Sequence, residues 1–288
     1  MIDPSRLTGL PDEGASSIDA QLALHTRLGW DSIELRSSDG VNVCGMSDAE
    51  FDRVAGAVED AGLRTVAFGS AIANWSRSAE DPFETDRDDL LRSVPRMRRL
   101  KCRFLRIMSY TRGGLDEATW AETAVARIRE LVRIASGEGV VLVLENCDGW
   151  AAKDPKNLRR LLEEIPDPAL QVVFDPGNPL HHGESPERVV EYFHEALDRI
   201  VHFHIKDCYR ESDGSVVHCY PGDGQCLVEP FIGILERLGY TGMYSIEPHM
   251  TNIFENPAAD SEEEKGRRYL EYGRRASVLL AGIEAGNG

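Results

Sequence analysis

Short apolar runs alternate along the chain with longer stretches whose apolar residues recur at helical spacing. The runs cover 31–35, 64–68, 103–108, 140–145, 170–175, 200–206 and 242–247. They are rich in Val, Ile and Phe, which is strand composition. A weaker eighth run, Arg6-Leu-Thr-Gly9, precedes the first helical stretch. Between the runs, Phe51, Val54, Ala55, Val58 and Ala61 form one apolar stripe. Val125, Ile128, Leu131, Val132 and Ala135 form a second, and Phe231, Ile234, Leu235 and Leu238 a third. Gly62, Gly139 and Gly239 each follow a stripe, where helices commonly stop. Ser47-Asp-Ala-Glu50 has the capping-box form just ahead of Phe51.

About eight strands, each followed by a helix, predict a parallel sheet. Eight such units in 288 residues predict an α/β fold, a (β/α)8 TIM barrel, with residues 1–288 as a single domain. An open doubly wound sheet would need a Gly-rich phosphate turn after an early strand, and none is present. The stretch Asp207 to Cys226, rich in Gly, Asp and Ser, is expected to be an enlarged loop after strand 7 with a small hairpin. The polar, acidic segment 256–265 is expected to lead into a last helix from Gly266 to Ile283.

Composition narrows the function. A hydrophobic content of 42% supports a buried core. The net charge of −17 argues against nucleic acid, because phosphate binding needs an excess of Lys and Arg. No apolar run approaches the roughly 18 residues of a membrane span. The opening MIDPSRLTGLPDEG has neither the basic nor the apolar part of a secretory leader. Cys44, Cys102, Cys147, Cys208, Cys219 and Cys226 make no CxxC pair. Reduced thiols in a cytoplasm are therefore expected.

In such barrels the active site lies at the C-terminal strand ends. Strand 5 ends in Glu145, strand 6 in Asp175 and strand 8 in Glu247, and strand 7 carries His204 near its end. The 145-to-175 and 175-to-204 spacings each equal about one strand–helix unit, so equivalent positions on neighbouring strands are occupied. Alternate strand residues face opposite sides. If Asp175, His204 and Glu247 face the barrel interior, then Phe174, Phe203, Ile205, Tyr244 and Ile246 face the helices, as apolar residues should. Charged strand ends are common, and any one of the four alone would more readily be solvated. Four in register point to a site. Three carboxylates and one imidazole suit one divalent cation with oxygen preference, Mn²⁺ first, then Mg²⁺ or Co²⁺.

The segments Glu145-Asn146, Phe174-Asp-Pro-Gly-Asn178, His204-Ile-Lys-Asp207 and Ser245-Ile-Glu247 resemble the xylose-isomerase-like barrel superfamily. That superfamily includes sugar isomerases, ketose 3-epimerases, inosose dehydratases and endonuclease IV. The resemblance spans nearly the whole chain. It implies Glu145, Asp175, His204 and Glu247 as ligands of one divalent metal, with Glu145 and Glu247 as the catalytic acid/base pair. It implies Arg210 as a substrate contact, and pairing of barrels into a homo-oligomer. The chain departs from the epimerases at Asn178, where they carry His, and at Ala151, where they carry an acid. It also lacks the additional His ligands of endonuclease IV.

Other candidates have two readings each. Lys206 is a substrate contact or a salt-bridge partner. His249 is a partner of the site or loop packing. Asn178 binds substrate or shapes its Pro-Gly-Asn-Pro turn, and Asn146 fixes the neighbouring loop. His181 and His182 enter the pocket or face solvent. Glu34 binds a substrate hydroxyl or pairs with Arg36. Trp75 and Trp150 wall a sugar ring or pack loops. His202 reads as a hydrogen-bonded interior histidine. Pro221-Gly-Asp-Gly224 weakly resembles a phosphate-cradling loop and reads better as a turn.

The expected activity is isomerisation or epimerisation of a small sugar or keto-sugar, by proton abstraction through a metal-bound enediolate. A lyase on an inosose or 3-keto-glycoside begins with the same proton removal and ends in β-elimination. A non-catalytic sugar-binding subunit is the third reading.

Overall fold

The computed structural model describes residues 2–250 and 261–283. Eight parallel strands form one sheet: β1 Leu7–Gly9, β2 Ser32–Leu35, β3 Arg64–Gly69, β4 Phe104–Ser109, β5 Val141–Gly149, β6 Leu170–Phe174, β7 Ile200–Ile205 and β8 Met243–Ile246. Their order is β1-β8-β7-β6-β5-β4-β3-β2. Ser32 Oγ of β2 donates to Leu7 O of β1 at 3.4 Å, so the two outer strands meet and the barrel nearly closes. Among the described residues, eight helices alternate with the strands: α1 Ile18–Leu28, α2 Asp48–Asp60, α3 Phe83–Arg99, α4 Glu117–Glu138, α5 Pro155–Glu164, α6 Pro186–Ala196, α7 Val228–Arg237 and α8 Glu262–Gly282. A short helix, Gly177–His181, follows β6.

The predicted local signals operate. Ser47 and Glu50 cap α2 reciprocally. Gly62, Gly139 and Gly239 end their helices with φ of 68°, 72° and 79°, the left-handed turn that suits glycine. Leu238 is the exception in its stripe. It caps α7 beyond Arg237 and is 64% exposed, because the chain turns at Gly239 before another helical turn can bury it.

The strands sort their side chains by parity. Phe174, Phe203 and Tyr244 face the helices in one aromatic layer, with Phe174–Phe203 centroids 6.0 Å apart and Phe203–Tyr244 centroids 5.8 Å apart. Phe193 of α6 stacks on Phe231 of α7 at 4.3 Å against this layer. On the interior side, Val141, Val143 and Val173 form a small apolar cluster with Phe104 and Val201 at the N-terminal end.

The enlarged loop after β7 contains the expected hairpin, Asp207–Arg210 paired with Val216–Cys219. Two boundaries differ from the sequence expectation. β5 runs on to Gly149, held by pairing of Ser109 with Gly149. α8 starts at Glu262 behind a Ser261 cap, so 262–265 are helical, because three Glu residues favour a helix's first turn. The rest of the expected connection, 256–260, lies outside the described residues. Among the described residues no helix is long and apolar enough to cross a membrane.

Candidate active site

Parity and strand length put the acidic strand ends together. The ligand atoms of Glu145, Asp175, His204 and Glu247 all lie within 4.8 Å of one another, and all four residues are buried. His204 Nδ1 faces Glu247 Oε2 at 3.2 Å, Glu145 Oε1 at 3.5 Å and Asp175 Oδ2 at 3.7 Å. Its Nε2 faces Glu34 Oε1 at 3.3 Å. Glu34 also pairs with His202 Nε2 at 2.8 Å and accepts from Ser245 Oγ at 2.6 Å.

Three cations thread this acidic cluster. Lys206 Nζ lies 2.8 Å from both Asp175 Oδ2 and Glu247 Oε2, and donates to Asn178 Oδ1 at 2.8 Å. Arg36 meets Glu247 at 2.8 Å, Asp12 at 2.7 Å and Glu13 at 3.2 Å. Arg106 meets Glu145 Oε2 at 3.1 Å. Local backbone geometry locks the set. Asn146 exchanges two 2.8 Å hydrogen bonds with the Asp175 main chain. Asn178 Nδ2 donates to Glu145 Oε1 at 2.9 Å. Gly177 is required because a Cβ there would sit 2.6 Å from Lys206 Cγ.

Burial opposes charge on every one of these groups, and partners decide the outcome. Burial would raise Glu247, but Lys206 and His204 hold it well below the carboxylate range. Burial would raise Glu145, but Arg106 outweighs it and holds it below. At Asp175 burial wins over Lys206 and the pKa rises. Burial would lower His204, but Glu34 and the three carboxylates hold it well above the imidazole range. Glu13 is pushed up to about 7, mainly by burial.

The residues fit one divalent cation. Among the described residues, Asp12, Glu13, Glu145, Asp175 and Glu247 form ion pairs with three permanent cations, Arg36, Arg106 and Lys206, while Glu34 meets imidazoles. Buried Glu145 Oε2 and Asp175 Oδ2 have ion pairs to Arg106 and Lys206 but no hydrogen bond of good geometry. Three carboxylate oxygens and one imidazole nitrogen form a hard donor set. Glu34 can hold Nε2–H of His204, so that Nδ1, which faces the three carboxylates, would exchange its proton for a cation.

Above the cluster opens a cavity of about 220 Å³. Glu145, Glu247, Lys206, Asn178, Arg36 and Arg106 line its buried part. Met108, Cys147 and Trp75 supply apolar wall, and Asp148, His181, His182 and His249 complete it. Asp175 and His204 lie beneath these residues, in contact with them.

Two predicted substrate contacts fall elsewhere. Glu34 does not reach the cavity. It is fully buried one interior layer below Arg36, and its partners are His202, His204 and Ser245 rather than Arg36 or a substrate. Arg210 turns to the loop after β6, donating to Glu184 O at 3.0 Å and Leu180 O at 3.4 Å. Trp75 is 43% exposed at the cavity, whereas Trp150 is buried loop core. Arg106 escaped the sequence reading, and Arg36 entered it only as a partner of Glu34. Their signal was parity: Arg106 sits on β4 between apolar Leu105 and Ile107, and Arg36 follows Glu34 by two just past the end of β2.

The sequence model of the xylose isomerase-like TIM barrel family matches residues 22–271. An inosose dehydratase of Histophilus somni (strain 129Pt) is 27% identical over 169 residues, 54% of this chain and 55% of that protein. The chain thus spans about half the length of the inosose dehydratases it matches. A 2-epi-5-epi-valiolone 7-phosphate 2-epimerase of Actinoplanes sp. is 26% identical over 274 residues, 94% of each chain. A solved xylose isomerase-like TIM barrel protein from Mycobacterium smegmatis, in complex with magnesium, superposes with a TM-score of 0.71 at 17% identity. That superposition covers 97% of this chain and 100% of the other. With the barrel topology and a match over most of its length, the chain belongs to the xylose isomerase-like TIM barrel family.

Proposed function

We propose that the chain is a metal-dependent enzyme that removes the proton beside the carbonyl of a small keto-sugar or keto-cyclitol, and reprotonates the carbon to give an isomer or epimer. The observation that carries this reading is the pair Glu145 and Glu247, converging on one cavity, each held ionised by a buried cation. An ionised carboxylate beside a substrate carbon is a base and becomes a carboxylic acid when it takes the proton; its partner across the carbon would deliver a proton to the other face only after taking one from water or a substrate hydroxyl. Glu145, Asp175, His204 and Glu247 would hold one divalent cation, Mn²⁺ or Mg²⁺ before Co²⁺. When bound, such an ion supplies Lewis-acid polarisation of the carbonyl. Lys206 and Asn178 orient substrate oxygens from one side, Arg106 from another. Trp75 and Met108 offer apolar surface to ring C–H groups.

The inosose dehydratase relatives favour a second reading, a lyase, which shares the first proton removal and differs only in expelling a β-hydroxyl. One assay separates them. Protein loaded with Mn²⁺ or Mg²⁺ is incubated with ketoses, inososes and 3-keto-glycosides in D₂O. Deuterium beside the carbonyl with unchanged product composition indicates isomerisation or epimerisation, and loss of water from an inosose, or of the aglycone alcohol from a 3-keto-glycoside, indicates the lyase. No exchange with any member, with metal shown to be bound, overturns both in favour of a sugar-binding protein.

A further inference from the structure

We propose that the cavity takes an uncharged keto-polyol and excludes sugar and cyclitol phosphates. The proposal rests on the assignment of this cavity as the active site, and it separates two kinds of relative that the family places side by side.

An anionic substrate needs either an uncommitted cation or a cradle of free backbone N–H groups. The cations lining the cavity are already committed to carboxylates. Arg36 is held by Asp12, Glu13 and Glu247, Lys206 by Asp175 and Glu247, and Arg106 by Glu145. Arg106 also donates Nη2 to Ser70 O at 3.1 Å. What it has left is Nε, buried and without a hydrogen-bond partner. A single N–H beside a carboxylate suits one neutral oxygen and does not suit a phosphate, which is best held by paired donors in a positive field. Asp148 adds a further carboxylate to the lining.

The backbone cradles are filled by the chain's own side chains. The short helix Gly177–His181 contributes Asn178 and His181 to the cavity, and its first N–H groups are taken. Gly177 N and Asn178 N both donate to Asp175 Oδ1, at 2.7 and 3.2 Å. The loop with the phosphate-cradle look, Pro221-Gly-Asp-Gly224, is closed in the same way. Asp207 accepts from Gly222 N at 2.9 Å, Gly224 N at 3.1 Å, Cys226 N at 3.1 Å and Cys208 N at 3.0 Å. It occupies the place where a phosphate would sit, and a Cβ on Gly224 would collide with its carboxylate.

The imidazoles complete the picture. His181 Nδ1 lies 3.3 Å from His218 Nε2, and the His181 and His182 rings are 5.2 Å apart. Burial pushes His218 down to about 3 and lowers His182, so both are uncharged near neutral pH. Neutral imidazoles exchange single hydrogen bonds, which is what hydroxyl groups offer. The small volume agrees with one ring and its hydroxyls, since pockets for drug-sized ligands run to about 300–1,000 Å³.

Two measurements test this. Deuterium exchange in D₂O, with Mg²⁺-loaded protein, compares D-fructose, D-tagatose and inosose with D-fructose 6-phosphate and D-tagatose 6-phosphate. Inorganic phosphate is separately titrated into metal-free protein by calorimetry. The expected result is exchange confined to uncharged members, with any phosphate ester lower by about 100-fold or more in kcat/KM, since an unpaired buried charge is heavily penalised. Calorimetry should show no saturable phosphate binding up to about 10 mM, a range in which binding free energies are only a few kcal/mol. A phosphate ester exchanging as well as its parent sugar, or saturable phosphate binding below about 1 mM, overturns the proposal. If no compound exchanges and phosphate still does not bind, the enzymatic reading falls while the exclusion of phosphate stands.

Discussion

The two ends of the barrel interior are built on the same strands and have opposite chemistry. On β5, Val141 and Val143 lie in the apolar cluster, and Glu145, the next interior residue, lies in the charged one. On β6 the change from Val173 to Asp175 takes one interior step. The N-terminal end needs nothing but shape. The C-terminal end holds buried carboxylates that are stable only because each has a specific cation or donor. Replacing a residue at the first end tests packing; replacing one at the second tests a network whose members leave their partners uncompensated.

The sharpest way to break this contrast is to move a charge down one layer. Val143→Asp buries a carboxylate among the valines, beside an Arg106 already paired with Glu145. It should cost on the order of 5 kcal/mol, or prevent folding, as read from urea denaturation. A loss below roughly 1 kcal/mol would mean the floor is wetter than its burial indicates. The charged end should fail in function first. Glu247→Gln keeps the shape and removes the anion, so proton exchange should fall by about 10³-fold, equivalent to roughly 4 kcal/mol. Retained exchange would remove Glu247 from the acid/base pair.

A third effect belongs to neither end and calibrates both. His25, buried between Ser32 O and Tyr269 Oη, is held neutral by burial, its pKa down from 6.5 to about 4. The unfolded chain takes up that proton from pH 6.5 downward and the folded chain only near 4. The contribution of His25 is therefore complete above pH 6.5 and lost as pH falls through 4, to the extent of about 3 kcal/mol. Denaturation midpoints measured between pH 7 and 4 should show this slope, and His25→Gln should flatten it. The smallest effect concerns Glu34. Glu34→Gln should weaken metal binding by about 10–100-fold in calorimetry without changing the cavity lining, because its role is to orient His204. Unchanged affinity would make Glu34 purely structural.

Legibility followed the same division. The strands, the caps at Ser47 and the glycine stops were readable because they depend on neighbours a few residues away. The acidic strand ends were readable because strand parity and the repeat of one strand–helix unit project them to equivalent positions. Partners were not. Arg36 meets Glu247 across 211 residues, and Glu34 meets His202 across 168. Parity could have flagged Arg36, Arg106 and Glu34 as interior charges, but not which carboxylate or imidazole each would meet. The bonds of Arg210 to Leu180 O and Glu184 O were not readable for the same reason: its sequence distance from His204 says nothing about which side of the hairpin it takes.

The sequence by itself determined the alternation of strands and helices, the apolar faces between them and the four metal-competent side chains at successive strand ends. These follow from periodicity, which the covalent chain enforces. Only the tertiary structure decided which cations hold those carboxylates ionised, that Glu34 lies beneath the cavity, and that Asp207 takes the backbone N–H groups of the loop at 222–226. Those outcomes depend on distances between segments far apart in the chain, and electrostatic and hydrogen-bond energies are set by such distances and by the loss of water around them.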